Sequence, residues 1–191
     1  MTPDTTGKAA AKPTLRHVRA GDLTPQEAEG VRRVTLGAYA EYAELMPGAA
    51  WQGLKNAVTT TLDRQLEPGS PDASADLFIA QRRGDILASV MLFSPESDAY
   101  KGAVDTPYPE IRLLAVDERA RGSGLGKALV KMCIRHARKA GARAVGLHTS
   151  DRMTVATGLY TSLGFERVPE LDFGANERVK AYRLRLDSER P

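Results

Sequence analysis

Cysteine occurs once in the 191 residues, at Cys133, so no intramolecular disulfide can form and nothing hints at secretion. Its place inside a long predicted helix fits a core thiol. Aromatic residues make up only 6% of the chain and do not interleave with basic ones, so no stacking surface for single-stranded nucleic acid is visible. The longest apolar run, Ile86 to Phe93, is far shorter than the roughly 20 residues that cross a bilayer. The start, MTPDTTGKAAAKP, lacks the apolar region of a signal peptide. These absences lead us to expect a cytoplasmic location, with neither membrane nor nucleic acid as partner. No metal-ligand spacing and no Ser/His/Asp set appears, so no metal is expected either. What is present is the balance of a soluble globular protein, 42% hydrophobic and 27% charged. The formal net charge of +3 is a mild excess that suits an anionic ligand.

The length allows one domain with a sizeable core. Residues 1–13 read as a disordered tail and 14–191 as the domain. Leu15 to Arg19 alternates as a strand. Asp22 or Thr24, with Pro25 following, opens a helix that runs to Glu41–Leu45, with Val31, Val34, Ala38 and Tyr42 on one face. After the Met46-Pro47-Gly48 break, Trp51 to Leu66 forms a second helix. Leu77 to Gln81 and Ile86 to Phe93 are strands joined by a turn at Arg82-Arg83-Gly84-Asp85. Beyond a loop over Ser94 to Pro109 come a strand, a long helix, a strand at Ala144 to His148 and a helix at Thr154 to Leu163. A strand at Phe165 to Val168, a polar connector over Leu171 to Arg178 and a last strand at Val179 to Leu186 complete the chain. The order β-α-α-β-β-β-α-β-α-β-β predicts an α/β fold: a mixed sheet with helices on both faces.

The most informative stretch is EIRLLAVDERARGSGLGKALVKMCIRHARKAG, from Glu110 to Gly141. It reads as a strand, a glycine-rich basic turn, and a helix whose apolar positions Leu125, Ala128, Leu129 and Met132 recur at helical spacing. Lys127, Lys131, Arg135 and Arg138 mark the opposite, solvated face. A helix start has amides without intrahelical partners and partial positive charge, and glycine lets a phosphate approach them. Arg121 and Lys127 add full charges. A Walker A loop would need glycine at Arg121 and a hydroxyl at Ala128. A Rossmann fingerprint would need glycine at Lys127 and an acidic residue near Val145 to Leu147. Neither motif is met.

Arg121-Gly122-Ser123-Gly124-Leu125-Gly126 instead matches [QR]-x-x-G-x-[GA]. Ala156, Leu159, Tyr160, Gly164 and Phe165 match A-x-x-L-Y-x-x-x-G-F. On these motifs the chain resembles the GNAT family of N-acetyltransferases over about Asp76 to Val168. The resemblance implies the GNAT fold, acetyl-CoA as cosubstrate, and transfer of its acetyl group to a primary amine in a ternary complex. It implies that Arg121, Gly122, Ser123, Gly124, Leu125, Gly126 and Lys127 hold the pyrophosphate. The backbone of Leu114, Ala115 and Val116 would pair with the pantetheine arm, and Tyr160 would protonate the departing thiolate. Where relatives often have an asparagine, this chain has Met153, which stays outside the expected site.

An amine acceptor with a pKa near ~10.4 must lose a proton before it attacks. Glu110 stands where several relatives keep a general base; alternatively it solvates a strand end, and a water chain carries the proton. His148 and His17 are fallback bases. The acceptor site is expected in the segment Tyr39 to Trp51, with Tyr39, Glu41 and Trp51 supplying aromatic faces and a carboxylate for a cationic amine. The acceptor itself, a small molecule or a peptide or protein amine, stays open, and a homodimer is compatible with the sequence. The competing reading is a non-catalytic CoA-binding sensor or scaffold of the same fold.

Overall fold

The computed structural model describes residues 11–97, 106–174 and 178–186. The expected tail therefore lies outside the described residues as far as Ala10, as do the middle of the Ser94 to Pro109 loop and part of the Leu171 to Arg178 connector.

Strand β1 (Thr14–Arg19) leads to helix α1 (Pro25–Ala40). Thr24 is the cap: its side chain accepts from the Glu27 amide while the Glu27 carboxylate accepts from Thr24 N, a reciprocal capping box. Val31, Val34 and Thr35 are buried against the sheet, and a Cβ on Gly30 would meet Ile86 Cγ1 at 2.6 Å, so glycine sets the close approach of helix and strand. The helix ends at Ala40, short of the predicted Glu41–Leu45 end, and passes into one 3-10 turn, Glu41–Ala43. Tyr42 is thereby carried off the apolar stripe and only half-buried. Helix α2 (Gly48–Leu66) starts ahead of Trp51 and buries Val58, Leu62 and Leu66.

Strands β2 (Asp76–Arg82) and β3 (Asp85–Phe93) form the expected hairpin, with Arg83 and Gly84 at φ of +54° and +85°. Two consecutive positive φ values make a type I′ turn, whose twist matches the strands. Then follow β4 (Glu110–Val116), α3 (Leu125–Lys139), β5 (Ala144–Ser150), α4 (Thr154–Ser162), the two-residue β6 (Glu166–Arg167) and β7 (Val179–Arg185). Gly141, at φ +80°, ends α3 as predicted.

The strands form one seven-stranded sheet in the order β1-β2-β3-β4-β5-β7-β6. Every pairing is antiparallel except β4 with β5. Helices α1 and α2 bury one face around Leu62, Ile79, Met91 and Leu113. Helix α3, with Leu159 and Tyr160 of α4, covers the other around Leu129, Cys133, Val145 and Phe165. Cys133 is fully buried there, and burial pushes its thiol pKa up, so it remains a core thiol. Among the described residues no helix is long and apolar enough to cross a membrane.

Candidate active site

The site begins with a fault in the sheet. Among the described residues, β4 and β5 pair only at Glu110–Gly146 and Ile111–Leu147, and then separate. The cause is local. Leu113 has φ +52°, and the β3–β4 register slips so that Ser89 opposes Ala115 while Met91 opposes Arg112. That is one extra residue on β4, a β-bulge. It re-aims the strand: Ile111 packs into the α3 face, Leu113 into the α1–α2 face, and Leu114 against the α3 face again. Past the bulge, the strand expected to meet a pantetheine arm runs beside a gap.

At one mouth of the gap lies the glycine turn. Gly122 and Gly124 adopt φ of +72° and +81°, which strongly favours glycine. The first bond of α3 runs from Ala128 N to Gly124 O at 3.0 Å, so the amides of Leu125, Gly126 and Lys127 precede the helical ladder. No acidic residue occupies the first turn, and Lys127 is exposed. A Cβ on Gly126 would contact Val116 Cγ2 at 3.4 Å, which keeps this turn close against β4. The Ser123 hydroxyl donates to Ala120 O and so serves the turn itself.

The base of the turn is clamped from three sides. Asp117 accepts from Arg119 Nη2 and from Arg33 Nη1 of α1, each at 2.7 Å, and Arg33 Nη2 reaches Asp85 of the β2–β3 hairpin at 2.9 Å. The Arg119 bonds, assisted by Arg33, hold the Asp117 carboxyl well below the usual carboxylate range despite burial.

On the α1–α2 side of the gap a cavity of about 330 Å³ is lined by Tyr39, Met46, Leu54, Arg112, His148 and Phe173, among others. Behind it His148 Nδ1 faces Glu110 Oε1 at 3.4 Å, with both side chains buried. His148 Nε2 lies 3.2 Å from Leu171 O. A carbonyl only accepts, so Nε2 carries the hydrogen of this bond, and Nδ1 is the nitrogen that faces Glu110. Neither Glu110 oxygen makes a hydrogen bond among the described residues. A buried polar group left without a hydrogen bond carries a desolvation cost of about 1–3 kcal/mol. Glu110 therefore does not solvate a strand end, the alternative left open by the sequence. Room for it comes from Gly146, where a Cβ would stand 2.4 Å from Tyr108 Cε2 and 3.3 Å from Glu110 Oε1.

Tyr160 is buried on the α3–α4 face with its ring 5.8 Å from that of Phe165. Tyr39 lines the cavity, and Tyr42 meets it edge-on at 6.1 Å. Burial, with Tyr42 alongside, pushes the Tyr39 phenol well above its ordinary pKa. Glu41 stands elsewhere: its carboxylate pairs with Arg121 of the glycine turn. Trp51, half-buried on α2, is absent from the cavity lining. His17 lies on edge strand β1, three strands from β4, and is no candidate base for this gap. Met153, left outside the expected site, lines the cavity, as do Arg112 and Phe173, which no sequence motif marks. Only the bulge and the long connector bring them to one place, and no local spacing could have flagged them.

Residues 42–165 match the Acetyltransferase (GNAT) family. A mycothiol acetyltransferase from Cellulomonas flavigena is 34% identical over 143 residues, which is 74% of this chain and 38% of that protein. Human N-acetyltransferase 8B is 43% identical over 60 residues, covering 31% of this chain and 26% of that protein. The chain thus spans well under half the length of these relatives. Among solved structures, an acetyltransferase of the GNAT family from Staphylococcus aureus superposes with a TM-score of 0.62 at 13% identity, covering 91% of this chain and all of that one (100%). A Bacillus subtilis acetyltransferase in complex with CoA gives 0.58 at 20% identity, covering 92% and 99%. With the sheet divided at β4–β5 and the family match covering most of its length, the chain belongs to the GNAT family of acetyltransferases.

Proposed function

We propose that this chain catalyses transfer of the acetyl group of acetyl-CoA to a primary amine, directly, with both substrates bound. One observation carries the reading. An anion-ready helix start and a buried carboxylate–imidazole pair flank the same gap between β4 and β5. The turn fits a pyrophosphate, with left-handed glycines, three amides ahead of the helical ladder, and Arg121 and Lys127 beside them. Acetyl-CoA supplies the acetyl group already activated as a thioester. The free edge of β4 from Leu114 to Val116 would hold the pantetheine arm in the manner of an added strand.

The amine nitrogen bonds to the acetyl carbon as the carbon–sulfur bond breaks. The amine proton passes to the Glu110–His148 pair, and the Tyr160 hydroxyl protonates the sulfur. The cavity's mostly apolar lining, with Met46, Leu54 and Val58, supports an acceptor amine carried on a largely apolar body. Among the described residues its lining includes Arg112 and no carboxylate, which disfavours a polycation. The reading is tested by following thiol release from acetyl-CoA with the purified chain and a panel of amines, including the acceptor used by mycothiol acetyltransferases. Amine-dependent release, lost in Glu110→Gln, is expected. Tight CoA binding with no turnover on any amine would favour the sensor or scaffold instead.

A further inference from the structure

At the far edge of the sheet, three side chains from three separate elements converge. His17 of β1 places Nε2 at 2.7 Å from Asp76 Oδ1 of β2, and His136 of α3 places Nε2 at 3.2 Å from Asp76 Oδ2. All three donor atoms lie within 4.8 Å of one another. Two of the chain's three histidines are gathered here although 119 positions separate them, with the carboxylate at position 76 between them. The rings are held from behind: Phe78 stacks on His17 at 4.8 Å and meets His136 edge-on at 5.6 Å. Both histidines thus turn the same nitrogen toward one carboxylate.

We propose that His17, Asp76 and His136 form a binding site for a divalent transition-metal ion, with zinc the best match, separate from the acyl-transfer gap. Two imidazoles and one carboxylate are borderline ligands suited to zinc. Metal–ligand bonds of ~2.0–2.2 Å place tetrahedral neighbours roughly 3.3 Å apart, so the observed spacing needs only small side-chain rotations. The cation takes the place of the hydrogen that His17 Nε2 directs at Asp76, which moves to Nδ1. The last turn of α3, where His136 lies, is the negative end of the helix dipole and favours a cation. The competing cation is Arg19, whose Nε is 3.8 Å from Asp76 Oδ1 on a largely exposed side chain free to swing away. Asp76 and His136 also border a cavity of about 330 Å³ with Leu92 and Ala140, which leaves room for water as a fourth ligand. A metal here ties the edge strand β1 and its neighbour β2 to the end of α3 that lies away from the glycine turn. Its role is a structural staple. Ligands taken singly from β1, β2 and α3 have no motif spacing, which is why the sequence reading found no metal site.

The test uses the full chain stripped of metal by a chelator and titrated with Zn²⁺ in a calorimeter, with Co²⁺ as a visible-absorbance probe. We expect one equivalent to bind, ligand-field bands from Co²⁺, and a Zn²⁺-dependent rise in Tm. His17→Gln and His136→Gln should each weaken Zn²⁺ binding at least tenfold while circular dichroism stays that of the parent. His17 is half-exposed on an edge strand, so its variant folds even if the helix variant does not. Asp76→Asn gives a third arm. His148→Gln, which changes the remaining histidine, should leave binding unchanged. The proposal is overturned if micromolar Zn²⁺ gives no saturable binding, if His17→Gln and His136→Gln both bind as the parent does, or if His148→Gln abolishes binding. None of these readouts depends on acetyl transfer, so they stand or fall apart from the proposed activity.

Discussion

The Arg121 guanidinium, on the turn proposed to hold pyrophosphate, is paired with the Glu41 carboxylate at the end of α1. Glu41 therefore competes with phosphate for the same cation. Exposed pairs of this kind are worth ~0.2–1 kcal/mol, or up to about fivefold in a binding constant. Glu41→Gln should tighten CoA by about two- to fivefold in calorimetry, with the amine KM unchanged. A raised amine KM at constant CoA affinity would return Glu41 to the acceptor site.

Gly124 has open space around its Cα, so its requirement is conformational. At φ +81° a side chain costs ~1–2 kcal/mol. Gly124→Ala should lower Tm by a few degrees and weaken CoA at least tenfold, because the added methyl lies where a phosphate must come close. Unchanged CoA affinity in a folded variant would move the pyrophosphate elsewhere.

If the Glu110–His148 pair takes the amine proton, Glu110→Gln should cut kcat by about 10²–10⁴-fold. CoA affinity should hold. Tyr160→Phe should lower kcat to a comparable extent in single-turnover measurements. An unchanged kcat in Glu110→Gln would assign proton removal to water.

Asp172 connects stability to the cavity wall. It accepts from both terminal nitrogens of Arg167 at 2.9 and 2.8 Å and from Ala181 N at 2.9 Å, and it directly precedes Phe173 of the cavity lining. The Arg167 bonds lead in lowering its pKa from 3.8 to about 2. A lowered folded pKa means that the stabilisation is present above the unfolded value and is lost as pH falls. Urea midpoints should therefore decline between about pH 4 and pH 2, in the window set by that shift. Asp172→Asn should be less stable at neutral pH and show a shallower decline. An equal slope in both proteins would show that other carboxylates govern acid unfolding.

The element order, a helix start at Asp22 or Thr24 ahead of Pro25, the Arg83-Gly84 turn and the anion-ready start of α3 were all readable in the sequence. Each depends on residues within a few positions of one another, where capping, turn chemistry and apolar period act locally. The end of α1 was overrun because nothing in Tyr39 to Leu45 forbids helix; the chain turns there to cross to α2. Which long-range partners meet was another matter. The bulge at Leu113 depends on how β4 lies against β3, and only that slip opens the gap and carries Arg112 to the cavity wall. Glu110 could be named from its place on the strand. Its burial against His148 could not, because Gly146 and the Leu171 carbonyl that make that pair workable come from other elements. The pairing of Glu41 with Arg121, eighty positions apart, and the gathering of His17, Asp76 and His136 have the same origin. Sequence governs what a segment does by itself, and charge and ligand geometry between segments exist only once the sheet has set their distances.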